Sequence, residues 1–242
     1  MRDLLKWELK QTFQAKIFWG ILIVLTICTS LFIPFFDENQ TSLEDFTSIC
    51  SNLNSLMVLF IGVYAGVHVA AAFSERKIQA AVMAGNSRFS IIAAKLLSYV
   101  LSVGVICLAA ISFSSVLVFA FHGISGAEDS FFREVIVRTV VYALAVVSLT
   151  GICFLVAFFV KNLGVSIVVN LILMLVLNSA GPLLLATKTT SRIAGFTAWG
   201  QTMLLLTDAS AGNLLCAVTG SAAGLLLILA IAYFRFRNEE LK

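Results

Sequence analysis

The sequence has few of the residues that keep a protein soluble and few that interrupt a helix. Only 12% of its 242 residues are charged, whereas roughly 25% are charged in ordinary soluble domains. Hydrophobic residues make up 60%, and proline occurs only twice. Proline breaks helices because it lacks the backbone N–H donor, so long helices are favoured here. A chain with these proportions has too few polar residues to cover the surface of a water-soluble protein, so an integral membrane protein is predicted.

Cysteine chemistry is also sparse. The chain has five cysteines and no CxxC pair, and an odd number leaves at least one thiol unpaired. Four of them lie in apolar stretches (Cys28, Cys107, Cys153 and Cys216), and Cys50 lies near a predicted outer surface. Buried free thiols are therefore predicted in place of a disulfide framework.

The usual signatures of catalysis and cofactor binding are missing as well. There is no GxxxxGK[ST] phosphate loop, no HExxH pair and no Ser/His/Asp cluster, and the only histidines are His68 and His122. We therefore expect no metal, no cofactor and no enzymatic activity in this chain. The predicted spans also lack Asp and Glu, which argues against an ion-coupled carrier because such carriers usually use an acid inside the membrane.

Six continuous apolar stretches are long enough to cross a hydrocarbon core of ~30 Å as helices. They cover residues 17–36, 53–73, 96–121, 139–160, 163–186 and 213–234. Continuous apolar runs favour helices over the alternating pattern of barrel strands. The predicted fold is all-α, one membrane domain over residues 1–242 with six transmembrane helices.

Basic residues set the predicted orientation. With the N-terminus in the cytoplasm, all but four of the 16 Lys and Arg residues fall on the inner side. The four exceptions are Arg133, Arg138, Lys188 and Arg192. Both termini are therefore predicted to be cytoplasmic. Since the basic residues line a membrane face, no nucleic-acid partner is expected.

The first 16 residues have a moderately amphipathic helical pattern. Leu5, Leu9 and Phe13 form one ridge, and Lys6, Lys10 and Gln14 form the next. The opening residues contain two acids and no cleavage site, so we expect no removable signal peptide. Residues 1–16 are predicted to be a helix in the inner membrane interface, with a merely solvated basic segment as the alternative.

The segment 187–212 is predicted to be extracellular or re-entrant, because apolar residues are mixed with polar ones. Just before it, Gly181 and Pro182 lie at the outer end of the fifth span. We expect an interrupted helix there, with a straight helix that ends at this dipeptide as an equal alternative.

Several residues inside the predicted spans are compatible with either packing or a path for a substrate. His68 is interpreted mainly as a neutral side chain bonded to a neighbouring helix. Asn170 and Asn178 give the fifth span a polar stripe, for which hydrogen bonds between helices and a path at a subunit interface both remain open. Gly62-x-x-x-Gly66 would let two helices approach closely, although this spacing is common by chance.

The segment 73–97 reads FSERKIQAAVMAGNSRFSIIAAKLL and is the most informative part of the chain. An acid follows the second span directly, then a short helix is predicted around residues 78–84, and Gly-Asn-Ser-Arg forms a turn. A short helix between turns, parallel to the membrane, suits docking into a groove on a cytosolic protein. A basic loop with incidental helicity would explain the charges but not the order of these residues.

This segment resembles the loop between spans two and three in permease subunits of type-2 ATP-binding-cassette exporters. That loop carries an acid, a short helix, a Gly-x-Ser-Arg turn and a Lys at the start of the third span. The corresponding residues here are Glu75, Gly85, Ser87, Arg88 and Lys95. The N-terminal helix, the six spans and the mixed segment 187–212 extend the resemblance over nearly the whole chain. Within the family, the chain resembles peptide-export and peptide-immunity permeases such as those that move phenol-soluble modulins.

The resemblance implies a transport subunit in a bacterial inner or plasma membrane that exports an amphipathic or hydrophobic peptide or drug. Its partners would be a separate ATPase subunit that binds ATP and Mg, a second permease copy (identical or a close paralogue) and the lipid bilayer. The implied ATPase-coupling residues are Glu75, Arg76, Ile78, Val82, Gly85, Asn86, Ser87 and Arg88. The implied substrate path contains Phe60, His68, Asn170, Met174 and Asn178. The alternatives are a self-contained ion-coupled carrier or channel and a membrane anchor that transports nothing.

Overall fold

The computed structural model describes residues 2–31, 42–122, 131–185, 202 and 211–237. These residues form helices and no strand, so the all-α prediction is confirmed for the described part of the chain. The helices are α1 (Arg2–Gln14), α2 (Lys16–Ser30), α3 (Ser42–Ser74), α4 (Lys77–Met83), α5 (Arg88–His122), α6 (Phe131–Val160), α7 (Leu163–Leu185) and α8 (Ala211–Arg237).

Four segments of these helices are long and apolar enough to cross a membrane. They are Asn54–Ser74, Arg88–Leu117, Phe131–Val160 and Gly212–Arg237. The pair α1 and α2, bent by 53° at Ala15, would be a fifth if it counts as one span. The apolar part of α7 is shorter, over Leu163–Ser179. The chain is therefore a multi-pass membrane protein, and the count of six spans stays a prediction.

Helix α7 continues through Gly181 and Pro182 to Leu185. The predicted interruption at this dipeptide is therefore wrong, and so is the alternative in which the helix ends there. Proline has a fixed φ that suits a helix, and neighbouring groups in membrane proteins can satisfy the single carbonyl that it leaves unbonded. The re-entrant path predicted for residues 187–212 lies almost entirely outside the described residues.

Glycines let α3 and α7, and likewise α6 and α8, lie in close contact. A Cβ added to Gly66 would lie 3.2 Å from the backbone nitrogen of Ile167. A Cβ added to Gly151 would lie 2.5 Å from Cδ1 of Ile228. A larger residue at Gly66 would meet the backbone of Ile167 and push α3 and α7 apart, so Gly66 lies at a close approach of these helices, as the Gly62–Gly66 spacing allows.

All five cysteines are free, as the sequence predicts. Cys50, Cys107 and Cys153 are buried, and burial raises the pKa of Cys50 to about 12. Cys216 is exposed, so the prediction of a buried thiol is wrong there. Cys216 lies on α8, and only 17% of the most apolar part of this helix is buried against the rest of the protein.

Contacts between aromatic rings bring the predicted inner loops to one end of the helix bundle. Phe73 near the end of α3 packs edge-on against Phe158 of α6 (5.2 Å between ring centroids). Phe158 in turn packs against Phe236 near the end of α8 (5.6 Å). The guanidinium of Arg88, the first residue of α5, lies 5.6 Å from the same Phe236 ring. The start of α5 and the ends of α3, α6 and α8 therefore meet there.

Candidate functional site

Turn residues fix both ends of α4, which overlaps the helix predicted around residues 78–84. Arg76, directly before α4, is left-handed with φ 55°. After α4, Gly85 has φ 83°, a conformation that glycine adopts without strain. Its amide donates to the carbonyl of Val82 at 2.9 Å. The amide of Asn86 donates to Ala81 at 3.3 Å, which completes a Schellman motif.

The two faces of α4 have different surroundings. Ile78 is buried in the hydrophobic core, and Val82 packs partly against it. On the other face Ala80 is exposed, and Met83 is 82% exposed. Burial of one face anchors α4 to the bundle, while its other face presents a flexible apolar side chain to its surroundings.

Ser87 and Arg88 act at helix ends. The Ser87 hydroxyl accepts a hydrogen bond from the amide of Ser90 at 3.2 Å, which caps the start of α5. Arg88 donates from Nη1 to the carbonyls of Phe236 (2.7 Å) and Arg237 (2.9 Å). These carbonyls belong to the last turn of α8, where helical partners are missing and a cation is favoured. Arg88 therefore connects the segment 73–97 to α8 within the chain.

Two residues of the predicted substrate path are buried between helices of one chain. Asn170 of α7 donates from Nδ2 to the carbonyls of Gly62 (3.1 Å) and Cys153 (3.3 Å). Asn170 therefore joins α7 to α3 and α6. Of the two interpretations that the sequence allowed, this is hydrogen bonding between helices. Met174 is also fully buried. In this conformation both side chains are enclosed within one chain, and their place in a substrate path stays a prediction.

The other predicted path residues do not join Asn170 and Met174. Phe60 and Asn178 are half-buried, which leaves part of each side chain accessible. His68 contacts α5, because its Nε2 lies 3.1 Å from the Ser98 hydroxyl. This agrees with the prediction of a histidine bonded to a neighbouring helix. The structure thus separates the five residues into different environments.

His68 also belongs to an aromatic stack at the α3–α5 contact. Its ring stacks on Tyr64 with 5.4 Å between centroids. Tyr64 stacks on Tyr99 of α5 at 6.1 Å. The Ser98 hydroxyl that faces His68 donates to the carbonyl of Lys95 at 2.9 Å. Tyr64 and His68 of this stack line a cavity that also contains charged side chains.

The cavity has a volume of about 160 Å³ and lies between α1, the end of α3, the start of α4, and α5. Four charged residues line it: Glu8, Glu75, Lys77 and Lys95. Glu75 forms an ion pair with Lys77, and both side chains are partly exposed. Such a pair contributes little to stability because water screens it. The two acids and two bases give the lining no net charge.

The second ion pair, Glu8 with Lys95, is buried. The Lys95 Nζ donates to Glu8 Oε2 at 2.9 Å, and the two side chains are 7% (Lys95) and 10% (Glu8) exposed. The pair joins α1 to α5. Removal of one partner would leave a buried charge without compensation, which is usually strongly destabilising.

Sequence reasoning identified Lys95 but missed Glu8. The ridge of Leu5, Leu9 and Phe13 drew attention to a face of α1 that does not lie deepest in the protein, since Phe13 is 36% exposed. Glu8 and Thr12 are buried and form the inward face instead. The i, i+4 spacing of Glu8 and Thr12 shows that they share a face of α1. The sequence does not show that this face is buried, because the lysine that pairs with Glu8 lies far away in the chain.

Among the residues that the structure describes, no group of three or more His, Cys, Asp or Glu side chains is placed to hold a metal ion. The arrangement can bind polar groups of either charge in the cavity and can present α4 to a partner. No protein-family model matches the sequence, and no curated protein is significantly similar to it. The family resemblance therefore rests on the motif in the segment 73–97 and on the predicted topology.

Proposed function

We propose that this chain is the membrane subunit of an exporter that is driven by a separate ATPase, and that α4 docks into that ATPase. The observation that carries the proposal is α4 itself. This short helix joins two long apolar helices, is anchored by the buried Ile78 and exposes Met83. A rigid helix between packed elements can transmit a movement because such contacts switch between discrete arrangements.

The charges at this end of the bundle support a cytoplasmic orientation. Arg76, Arg235 and Arg237 are exposed there, and basic residues concentrate on the cytoplasmic side of membrane proteins. With this orientation both termini are cytoplasmic. The cargo is an amphipathic or hydrophobic peptide or drug, and a second permease copy completes its path beside the half-buried Phe60 and Asn178.

The test is co-purification and ATPase stimulation with the candidate ATPase, taken from the neighbouring reading frame. Met83→Glu places a charge on the exposed face of α4 and should reduce both binding and stimulation at least tenfold. Leu163→Glu is the matched control, since Leu163 is also an exposed apolar residue (37%) beside a turn predicted to be cytoplasmic. It should change neither quantity. Equal behaviour of the two variants would show that α4 is not the docking element.

One observation favours a second function, an ion-coupled carrier. The predicted spans contain no acid, but the fold brings Glu8 of α1 against Lys95, in a cavity that His68 also lines. An acid near a buried lysine and histidine is typical of proton-coupled sites. Transport by the purified chain in liposomes under a proton gradient without ATP, and its loss in Glu8→Gln, would favour the carrier over the exporter.

A further inference from the structure

The cavity lies beside a helix whose surface is suited to the headgroup region of a bilayer. Trp7 of α1 is 47% exposed and Trp19 of α2 is 51% exposed. The Trp19 indole donates to the carbonyl of Phe13 at 2.9 Å, across the bend between the two helices. Exposed tryptophans of this kind concentrate where hydrocarbon meets water. A neighbouring face of α1, with Glu8 and Thr12, lines the cavity, which therefore lies at about headgroup depth.

The cavity contains one buried and one exposed pair of oppositely charged side chains. Glu8 and Lys95 are nearly buried, whereas the side chains of Glu75 and Lys77 are 53% and 30% exposed. The buried pair therefore forms the floor and the exposed pair the mouth. Gln11 also lines the cavity, and its buried Oε1 has no hydrogen-bond partner among the described residues. A buried acceptor without a donor is costly, so it favours a ligand that brings an N–H group.

We propose that this cavity binds a phosphoethanolamine group, in which a primary ammonium lies next to a phosphate, as in the headgroup of phosphatidylethanolamine. The ammonium donates to Gln11 Oε1 and to the Glu75 carboxylate, and the phosphate pairs with Lys77. A choline group has no N–H to donate, and a glycerol headgroup has no cation, so the site distinguishes ethanolamine from both.

The size of the cavity and its aromatic wall fit such a group. Its volume of about 160 Å³ is similar to that of cavities of ~150 Å³ that admit one small ring in other proteins. Tyr64 and His68 line the same space. Aromatic faces attract an ammonium within about 6 Å, which adds to the selectivity for a cationic group. This inference does not depend on the proposed transport function.

The experiment uses the full-length protein, purified and delipidated, in nanodiscs of phosphatidylethanolamine, phosphatidylcholine or phosphatidylglycerol, each alone and in an equimolar mixture. Bound lipid is measured by native mass spectrometry after release, and stability by thermal unfolding. We expect at least tenfold more retained phosphatidylethanolamine than phosphatidylcholine from an equimolar mixture, and a higher unfolding midpoint with the former. Soluble phosphoethanolamine, added in detergent, shows whether the group alone suffices: stabilisation by it would support a free ligand as well as a lipid.

Two variants remove different parts of the site, so that a folding defect in one does not decide the outcome. Lys77→Gln removes the phosphate partner, and Gln11→Leu removes the acceptor. Each should reduce the preference for phosphatidylethanolamine about tenfold. Lys10→Gln is the control, because Lys10 is exposed on α1 and does not line the cavity. Equal retention of all three lipids by the parent protein, or equal loss in Lys10→Gln and Lys77→Gln, would overturn the proposal.

Discussion

Two regions of this molecule hold helices together by different physical means. Where α3, α6 and α7 meet, Gly66 lets backbones approach and the Asn170 amide bonds two carbonyls, so little space remains. Where α1, α4 and α5 meet, a buried ion pair and a cavity of about 160 Å³ replace tight packing. Apart from Asn170, the first region is packed mainly by small and apolar residues, whereas the second contains the charged residues Glu8, Glu75, Lys77 and Lys95.

The difference indicates which region is suited to change its arrangement. Tightly packed interiors resist deformation because every displaced methylene group loses contacts. A region with an accessible cavity and ion pairs can rearrange, because its charged groups can exchange partners with water or a ligand. The predictions below test this contrast, in order of decreasing effect.

The largest effect is expected at the buried ion pair. Lys95→Met leaves the Glu8 carboxylate buried without its partner and should lower the free energy of unfolding by about 3 kcal/mol. The double variant Glu8→Leu with Lys95→Met removes both charges and should recover most of that loss. Denaturation of the purified protein in mixed micelles measures both. A double variant as unstable as the single one would mean that the pair is not the source of the effect.

A slightly smaller loss is expected in the tightly packed region. Gly66→Leu directs a side chain at the backbone of Ile167 and should cost about 2 kcal/mol, because packed helices separate at a considerable cost. In Gly104→Leu the added Cβ meets no neighbouring atom within 4 Å, so the thermal unfolding midpoint should hardly change. Similar midpoints for the two variants would contradict the close contact of α3 and α7.

The Asn170 amide is expected to contribute less. Asn170→Ala removes two hydrogen bonds between helices, which are worth on the order of 1 kcal/mol in membrane proteins. Asn178→Ala changes a half-buried asparagine on the same helix and should leave unfolding unaffected. If Asn178→Ala is the more destabilising of the two, the roles assigned to these asparagines are reversed.

The smallest effect is expected at the end of α8. Arg88→Gln removes the cation that binds the last carbonyls of this helix, and helix-end charges contribute about 0.3–1 kcal/mol. Hydrogen exchange should become faster in the last turn of α8, while α6 remains protected. Arg235→Gln changes an exposed residue in the same turn and serves as the control. Unchanged exchange in Arg88→Gln would show that the contact does not hold the end of α8.

Local patterns predicted much of the fold. Apolar runs located the helices, and Gly85 with its neighbours located the turn after α4, because these features depend on nearby residues. The starts of helices were predicted less well: α6 begins at Phe131 although its apolar run was placed from residue 139. Charged residues such as Arg133 end an apolar run without ending a helix, since arginine is a good helix former.

The sequence by itself determined that the described residues are helices of a membrane protein, with a short helix and a turn between α3 and α5. Apolar residues avoid water and a backbone in lipid must satisfy its own hydrogen bonds, so long continuous apolar runs form helices. Only the tertiary structure decided that Glu8 meets Lys95, that Arg88 binds the end of α8 and that Asn170 joins three helices. These partners lie far apart in the chain, and a polar residue shows no local sign of which distant group will compensate its burial.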